Sequence, residues 1–145
     1  EIVIVDPNEK RLGECSKYLN ADPVKPDSKN IKDEHFDIVF DTVGMEVTRK
    51  QAIKSIKSGG VIIHIGLTEP SGTFDFRKAT LQEITFIGTY CYTNKDFEKT
   101  LEILANKKIG SLGWIEYRKL KDGFDAFKEI HNGVCIAPKI ILLVN

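Results

Sequence analysis

The residue with the clearest chemical potential is Asp6, which closes the β-branched run EIVIVD at the start of the sequence. Such a run predicts a strand. An acid at the carboxyl end of the second strand of a dinucleotide-binding sheet accepts hydrogen bonds from the adenosine ribose hydroxyls. The same carboxylate repels a 2′-phosphate, so it favours NAD over NADP. The alternative is that Asp6 only caps the helix that begins near Pro7 and Asn8. The spacing alone leaves both roles open.

A glycine-rich phosphate-binding turn, G-x-G-x-x-G, is expected about 20 residues before a ribose-binding acid. Counting back from Asp6 runs past the first residue of the sequence. These residues therefore lack the helix N-terminus that would hold the pyrophosphate. We expect this stretch alone to bind NAD weakly or not at all.

The remaining reactive side chains predict no catalytic residue and no metal site. His64 lies within the apolar run VIIHIG, where a histidine is typically a core residue that is hydrogen-bonded to a neighbour. No two histidines, and no histidine and cysteine, stand at metal-ligand spacing. The serines lack the sequence context of a nucleophile elbow. The sequence thus contains no self-contained catalytic machinery.

Length and composition indicate an ordinary globular domain. The 145 residues suit one domain, and 21 basic residues balance 21 acidic ones. This balance provides no electrostatic surface for nucleic acid or for an anionic membrane. The three cysteines, Cys15, Cys91 and Cys135, are odd in number and widely spaced, so we expect a reduced, cytoplasmic protein without disulfides.

The stretch 37–67 indicates the fold class. Two β-branched runs, apolar on both faces, flank a helical segment whose apolar stripe contains Ala52, Ile53 and Ile56. Gly59-Gly60 is predicted to end that helix. Strand, helix and strand at this spacing form a crossover unit of a doubly wound parallel α/β sheet. Gly44 and Gly66 follow the two strands, where a missing side chain would let a ligand approach the backbone.

Further elements are predicted on both sides of this unit. A helix after Pro7 is expected to end at Asn20, and residues 25–34 are predicted to form a loop. A strand is predicted over 84–92, followed by a helix that begins at Thr93 or Asn94. We expect that helix to bury Phe97, Leu101 and Leu104, and a later helix to carry Phe124, Phe127 and Ile130 on one side. Strands over 114–119 and 138–145 complete the prediction.

The order of these segments resembles the C-terminal part of the medium-chain dehydrogenase/reductase family, and specifically its zinc-type alcohol dehydrogenases. The blocks that carry the resemblance are IVIVDPNEKRL (2–12), FDIVFDTVG (36–44), SGGVIIHIGL (58–67), FDFRKATLQEITFIGTYCYT (74–93), LKDGFDAFKEIHNG (120–133) and APKIILLV (137–144). The finer likeness is to dehydrogenases of polyols, amino alcohols and related alcohols. The resemblance implies an incomplete Rossmann-like domain over 1–110. It also implies that the segment 111–145 packs on a catalytic domain outside this sequence.

The resemblance also implies cofactor-binding roles at matching positions. Asp6 would bind the adenosine ribose of NAD, with Asn8 and Arg11 on the adenine side. The middle of the cofactor would be bordered by Thr42, Val43 and Gly44, and the nicotinamide by Ile65, Gly66, Leu67, Thr89, Tyr90 and Cys91. In complete relatives, hydride passes between the nicotinamide and an alcohol or carbonyl carbon, and a catalytic zinc polarises the oxygen.

The resemblance further implies that several parts of a complete enzyme fall outside these residues. They are the zinc-binding N-terminal domain, the first strand of the cofactor domain and its glycine-rich turn, so we expect this piece alone to be inactive. In the order 3-2-1-4-5-6 that strand is central. We expect the gap to close by direct pairing of strands 1–6 and 37–41, or by a second chain. A homodimer, which members of the family form through a late strand, is predicted as the partner state.

Two other functions are compatible with these residues. One is a zinc-free, quinone-oxidoreductase-like reductase of activated double bonds that uses NADPH, although Asp6 argues against that cofactor. The other is a non-catalytic nucleotide-binding or dimerisation module.

Overall fold

A computed structural model describes residues 1–144 of the chain. The elements in chain order are β1 (Val3–Val5), α1 (Glu9–Tyr18), β2 (Asp22–Val24), β3 (Phe36–Asp41), α2 (Glu46–Ser55), β4 (Ile56–His64), α3 (Phe76–Leu81), β5 (Thr85–Gly88), α4 (Asn94–Ala105), β6 (Ile115–Lys119), α5 (Gly123–His131) and β7 (Lys139–Leu143), with a 3-10 turn over Leu120–Asp122. They form two compact units. One contains Glu1–Ser28 and the segment from Asn94 onward, and the other contains Lys29–Thr93. The predicted division at residue 110 concerns packing against a catalytic domain and stays a prediction.

Every strand pair within residues 1–144 is parallel, which confirms the predicted α/β class. The strands form the orders β1-β2, β3-β4-β5 and β6-β7. Strands β1 and β2 correspond to positions 2 and 3 of the doubly wound arrangement, and β3, β4 and β5 to positions 4, 5 and 6. The predicted direct pairing of residues 1–6 with 37–41 is wrong. Among the same residues, β1 pairs with β2, and the backbone partner of β3 is β4.

Strand β2 was not predicted from the sequence. It contains Pro23, which lacks the N–H that a ladder needs and argues against a strand. The structure tolerates it because β2 is an edge strand. The flanking amides make the cross-strand bonds instead: Asp22 N donates to Ile2 O at 2.8 Å and Asp6 N donates to Val24 O at 3.3 Å.

The core of the Lys29–Thr93 unit lies between α2 and one face of its sheet. Ile56 and Ile62 are fully buried, and Ala52 and Ile53 pack with them. Val39, Phe74, Ala79 and Ile84 add partly buried contacts around this cluster. Ala52 and Ile53 of the predicted apolar stripe therefore face the sheet from the helix, whereas Ile56, the third predicted member, belongs to β4.

The helix exit predicted at Gly59-Gly60 is wrong. Helix α2 ends at Ser55, and Ile56 is already extended. The pairing with β3 then shifts between Phe36↔Ile56 and Ile38↔Val61, so the intervening residues bulge out of the ladder. The glycines serve this bulge: Gly59 has a φ of +72°, and a Cβ on Gly60 would lie 2.6 Å from Ile56 Cδ1. Burial of Ile56 thus takes precedence over helix continuation.

Two further details differ from the sequence-based expectations. Helix α1 ends at Tyr18, and its C-terminal cap is Leu19, not Asn20. The α4 stripe predicted to be buried is exposed: Phe97 and Leu101 each expose about half of their surface and Leu104 exposes 37%. On α5, Phe124, Phe127 and Ile130 are also exposed, and this helix instead buries Gly123 and Ala126.

Candidate functional site

In the Lys29–Thr93 unit, the loops that follow β3 and β4 are joined by backbone hydrogen bonds. The carbonyl of Asp41 accepts from Ile65 N at 2.8 Å and from Gly66 N at 3.1 Å. The carbonyl of Val43 accepts from Thr68 N at 3.2 Å and from Thr68 Oγ1 at 2.7 Å. Two predicted groups of cofactor-binding residues, 42–44 and 65–67, therefore form one structural edge at the carboxyl ends of parallel strands.

Gly44 and Gly66 make this loop contact possible. A Cβ on Gly44 would lie 1.9 Å from Gly66 O, and a Cβ on Gly66 would lie 2.1 Å from Val43 C. Gly44 also has a φ of +73°, a conformation that side chains disfavour. We predicted that these glycines leave room for a ligand. In the structure, each loop occupies the space that a side chain on the other loop would need, and this contact explains why both positions are glycine.

Buried polar side chains lie beneath this edge. Asp41 Oδ1 accepts from Val43 N at 3.1 Å and from Gly44 N at 2.9 Å, and this arrangement fixes the first loop. Its Oδ2 lies 3.6 Å from His64 Nε2. Asp41 was not among the predicted site residues, although the signal that singled out Asp6, an acid closing a β-branched strand, is equally present there.

Arg49 is a second, largely covered polar group absent from the predicted site. Its side chain is 12% exposed, and its guanidinium donates to Gly44 O at 2.8 Å and to Ser71 O at 2.5 Å. It also lies 3.8 Å from the Glu69 carboxylate, which accepts from Glu46 N at 2.6 Å. This arginine ties the first turn of α2 to the loop that follows β4. Its partners in that loop are 20 or more residues away in sequence, so no local pattern predicts the contact.

Glu46, at the N-terminus of α2, provides a pH-dependent contribution to stability. Its carboxylate accepts from Lys50 Nζ at 2.6 Å and from Thr73 Oγ1 at 2.6 Å. These hydrogen bonds lower the pKa of Glu46 from its ordinary value of 4.5 to about 2, and the bond from Lys50 has the largest effect. A depressed pKa in the folded state favours folding above the unfolded pKa and loses that effect below it.

We therefore expect Glu46→Gln to be most destabilising at neutral pH. The difference in free energy of unfolding from the parent chain should shrink as the pH falls from 4.5 towards 2. Urea unfolding followed by circular dichroism at several pH values measures this difference. Glu98→Gln on exposed α4 is the matched control. A difference that stays constant across the range would contradict the prediction.

In the other unit, Asp6, Asn8 and Arg11 form one cluster after β1. Asp6 Oδ1 accepts from Asn8 N at 2.7 Å, and its Oδ2 accepts from Arg11 Nη1 at 2.8 Å. The helix cap is Asn8, whose Oδ1 accepts from the N–H groups of Lys10 and Arg11. The side chains of Asn8 and Arg11 also donate to the carbonyls of Gly133 and Cys135. Asp6 thus organises the capping turn at the carboxyl end of a parallel strand pair without being the cap itself.

The third predicted group, Thr89 to Cys91, begins one residue beyond β5. Thr89 N donates to His64 O at 2.9 Å, which places the group directly beside the end of β4. Tyr90 is 83% exposed and Cys91 is exposed. The strand predicted over 84–92 pairs only through Thr85–Gly88, and the residues beyond leave the ladder. Their roles towards a cofactor stay predictions.

The described residues contain no arrangement suited to a metal ion. Within 1–144, no three His, Cys, Asp or Glu side chains are grouped as metal ligands would be. Cys15, Cys91 and Cys135 are all free thiols. In the same range, no helix has the length and apolar character needed to cross a membrane.

Parallel sheets with crossover helices, and acids at the ends of strands β1 and β3, define a partial Rossmann-like α/β domain. The chain belongs to the zinc-binding dehydrogenase family, whose model, described as "Zinc-binding dehydrogenase", matches residues 1–106. The resemblance to zinc-type alcohol dehydrogenases is thereby confirmed. The family model covers the cofactor-domain elements of the fold and ends just after α4.

Individual relatives place the chain within a longer architecture. It is 31% identical over 137 residues to acryloyl-coenzyme A reductase of Metallosphaera sedula, and 29% identical over 148 residues to L-idonate 5-dehydrogenase of Vitis vinifera. These matches cover 90% and 91% of this chain but 40% of each relative. Acetophenone reductase from Geotrichum candidum, solved in complex with NAD, superposes with a TM-score of 0.83 at 21% identity. That match covers 97% of this chain and 40% of the reductase, so the chain spans about two fifths of these proteins.

Proposed function

We propose that this chain is the NAD-binding portion of a zinc-type alcohol dehydrogenase that acts on a polyol or a related alcohol. Membership of the zinc-binding dehydrogenase family supports the class. The observation that carries the cofactor assignment is the Asp6 cluster. A carboxylate stands at the carboxyl end of a parallel strand, held by Asn8 N and by Arg11. Its side chain is 20% exposed, so its oxygens can still be reached from solvent.

The residues present suit a dinucleotide with an unmodified ribose. A carboxylate accepts hydrogen bonds from the ribose hydroxyls and repels a phosphate at the 2′ position. Thr42 to Gly44, Ile65 to Leu67 and Thr89 to Cys91 would border the rest of the cofactor with backbone groups. When bound, NAD supplies the hydride acceptor for oxidation of the alcohol. Zinc does not fit the described side chains, and we propose that the catalytic metal is held by residues outside this sequence.

Calorimetric titration with NAD at millimolar concentrations tests the cofactor assignment. Of the two outcomes expected from the sequence for these residues alone, weak NAD binding or none, we propose weak binding. We expect heat with NAD and much less with NADP, because Asp6 would face the additional phosphate. Asp6→Ala should weaken NAD binding about tenfold or more, the size expected when a charge-assisted hydrogen bond is lost. Asp27→Ala, which removes an exposed loop carboxylate, is the matched control. Absence of heat with NAD, or equal affinity in the two variants, would contradict the assignment.

We also propose that the segment 111–145 packs on a catalytic domain and that the protein forms homodimers. Exposed apolar side chains support both proposals. On α5, Phe124 and Phe127 each expose about 70% of their surface. At the sheet edge, β5 exposes Phe86 and Ile87 beside an unpaired row of backbone groups. The free thiols support a reduced, cytoplasmic compartment.

A further inference from the structure

Two buried polar atoms face each other beneath the loop edge without a hydrogen-bond partner. They are Asp41 Oδ2 and His64 Nε2, which lie 3.6 Å apart. The Asp41 side chain is only 2% exposed and that of His64 is 17% exposed. An unsatisfied buried polar atom is costly, and most such atoms in folded proteins are paired. Neither atom is used by the proposed cofactor contacts, so the pair needs a reason of its own.

The separation exceeds a hydrogen bond by less than an ångström. A charge-assisted N–H···O bond has a length of about 2.8 Å, so a small side-chain rotation would close it. The His64 ring is already oriented for this by the Phe86 ring, whose centroid lies 5.6 Å away at a tilt of 33°. His64 therefore lies beside the carboxylate with its ring packed against the half-exposed ring of Phe86.

Both residues also hold backbone groups of the loop edge. The second oxygen of Asp41 accepts from Val43 N and Gly44 N. The His64 carbonyl accepts from Thr89 N, and its neighbour Ile65 donates its own N–H to the Asp41 carbonyl. The pair thus lies where the ends of β3, β4 and β5 are joined, by backbone hydrogen bonds and by the side chain of Asp41.

We infer that His64 is a positioning residue for the cofactor-binding loops. With its proton on Nε2 it donates to Asp41 Oδ2 and fixes that carboxylate. The other oxygen then holds the N–H groups of Val43 and Gly44 in the orientation that borders the cofactor. The effect on cofactor binding rests on the proposed function. The tautomer and the ordering of the loop rest on the geometry alone.

Two variants of His64 separate this role from simple core packing. In His64→Gln, the side-chain Nε2 amide can reach the position of the imidazole Nε2 and still donate. In His64→Leu, an apolar side chain fills the core but cannot donate. We expect His64→Leu to increase the hydrogen-exchange rates of the Val43 and Gly44 amides about tenfold, as for the loss of one hydrogen bond to a charged group. His64→Gln should exchange as the parent chain does, and NAD affinity should follow the same order.

A measurement on the unaltered chain keeps the inference testable if a variant fails to fold. A long-range 1H–15N spectrum of the imidazoles at neutral pH reports which nitrogen carries the proton. The three histidines, His35, His64 and His131, can be assigned by single substitution. We expect His64 to carry its proton on Nε2, and Asp41→Asn to shift the Nε2 signal of His64 but not those of the other two.

The outcomes distinguish this inference from the proposed function. If the parent chain binds no NAD, the cofactor assignment fails, while the exchange rates and the tautomer still test the role of His64. A neutral His64 protonated on Nδ1 would overturn the inference, as would exchange at Val43 and Gly44 that is equally fast in the Leu and Gln variants.

Discussion

Gly66→Ala is expected to destabilise the Lys29–Thr93 unit by about 3 kcal/mol, at the upper end of overpacking effects. The new Cβ would lie 2.1 Å from Val43 C and 2.4 Å from Val43 O. These are backbone atoms, so no flexible side chain can move aside. The two loops would have to separate, with loss of the hydrogen bonds from Gly66 N and Ile65 N to Asp41 O. Urea unfolding followed by circular dichroism measures the loss.

Gly88→Ala is the matched control, because a Cβ there has no atom within 4 Å. Gly88 ends β5 of the same sheet. The two substitutions therefore add the same methyl group near the same sheet edge, and only the one at Gly66 meets other atoms. Gly44→Ala should be at least as harmful as Gly66→Ala, since it adds an unfavourable positive φ to a Cβ that would lie 1.9 Å from Gly66 O. If Gly66→Ala were as stable as Gly88→Ala, the close loop contact would not exist in solution.

The parts of the fold that the sequence predicts are those specified by local patterns. The β-branched runs became β3 and β4, and the apolar stripe of Ala52 and Ile53 faces the core. Strand β2 escaped detection because Pro23 is a poor strand residue that becomes acceptable only at an edge. The bulge at Gly59 was also not predicted, because its cause is not local. A pair of glycines after a helix indicates an exit, and only burial of Ile56 changes that interpretation.

The candidate site divides in the same way. Asp6, Asn8 and Arg11 lie within six residues, and the family resemblance, which implies a shared role for them, names residues that are also close in sequence. Arg49 contacts Ser71 and Glu69, which lie on a loop 20 or more residues away. Asp41 and His64 meet because β3 and β4 pair in the register Asp41↔His64. Register depends on the whole sheet, and a shift of one strand by one residue would put the two side chains on opposite faces.

In strand β3, the apolar sequence pattern and the observed burial of the side chains disagree. Strand β3 is apolar on both faces, a pattern typical of strands covered on both sides. In the structure, Val39 packs on the core, whereas Ile38 and Phe40 on the opposite face are 52% and 60% exposed. In strand β4, Ile62 lies on the covered face at 1% exposure. Residues of identical type on the two faces should therefore contribute very differently to stability.

We accordingly expect Ile62→Ala to cost about 3 kcal/mol of unfolding free energy, the middle of the range for truncation of a buried isoleucine. Ile62 packs within the cluster of Ala52, Ile53 and Ile56, so the truncation leaves a cavity that α2 cannot fill without moving. Ile38→Ala is the matched control. It removes the same atoms from the paired strand, on a face where they are already half in water, and should cost less than about 1 kcal/mol.

Urea unfolding of the two variants and the parent chain gives the comparison directly. Equal losses for Ile62→Ala and Ile38→Ala would mean that the second face is covered in solution. That result would favour a partner on the Ile38 and Phe40 face, because a side chain must lose its contact with water before its truncation leaves a cavity. A loss confined to Ile62 would show that only the Ile62 face of this sheet is covered in the isolated chain.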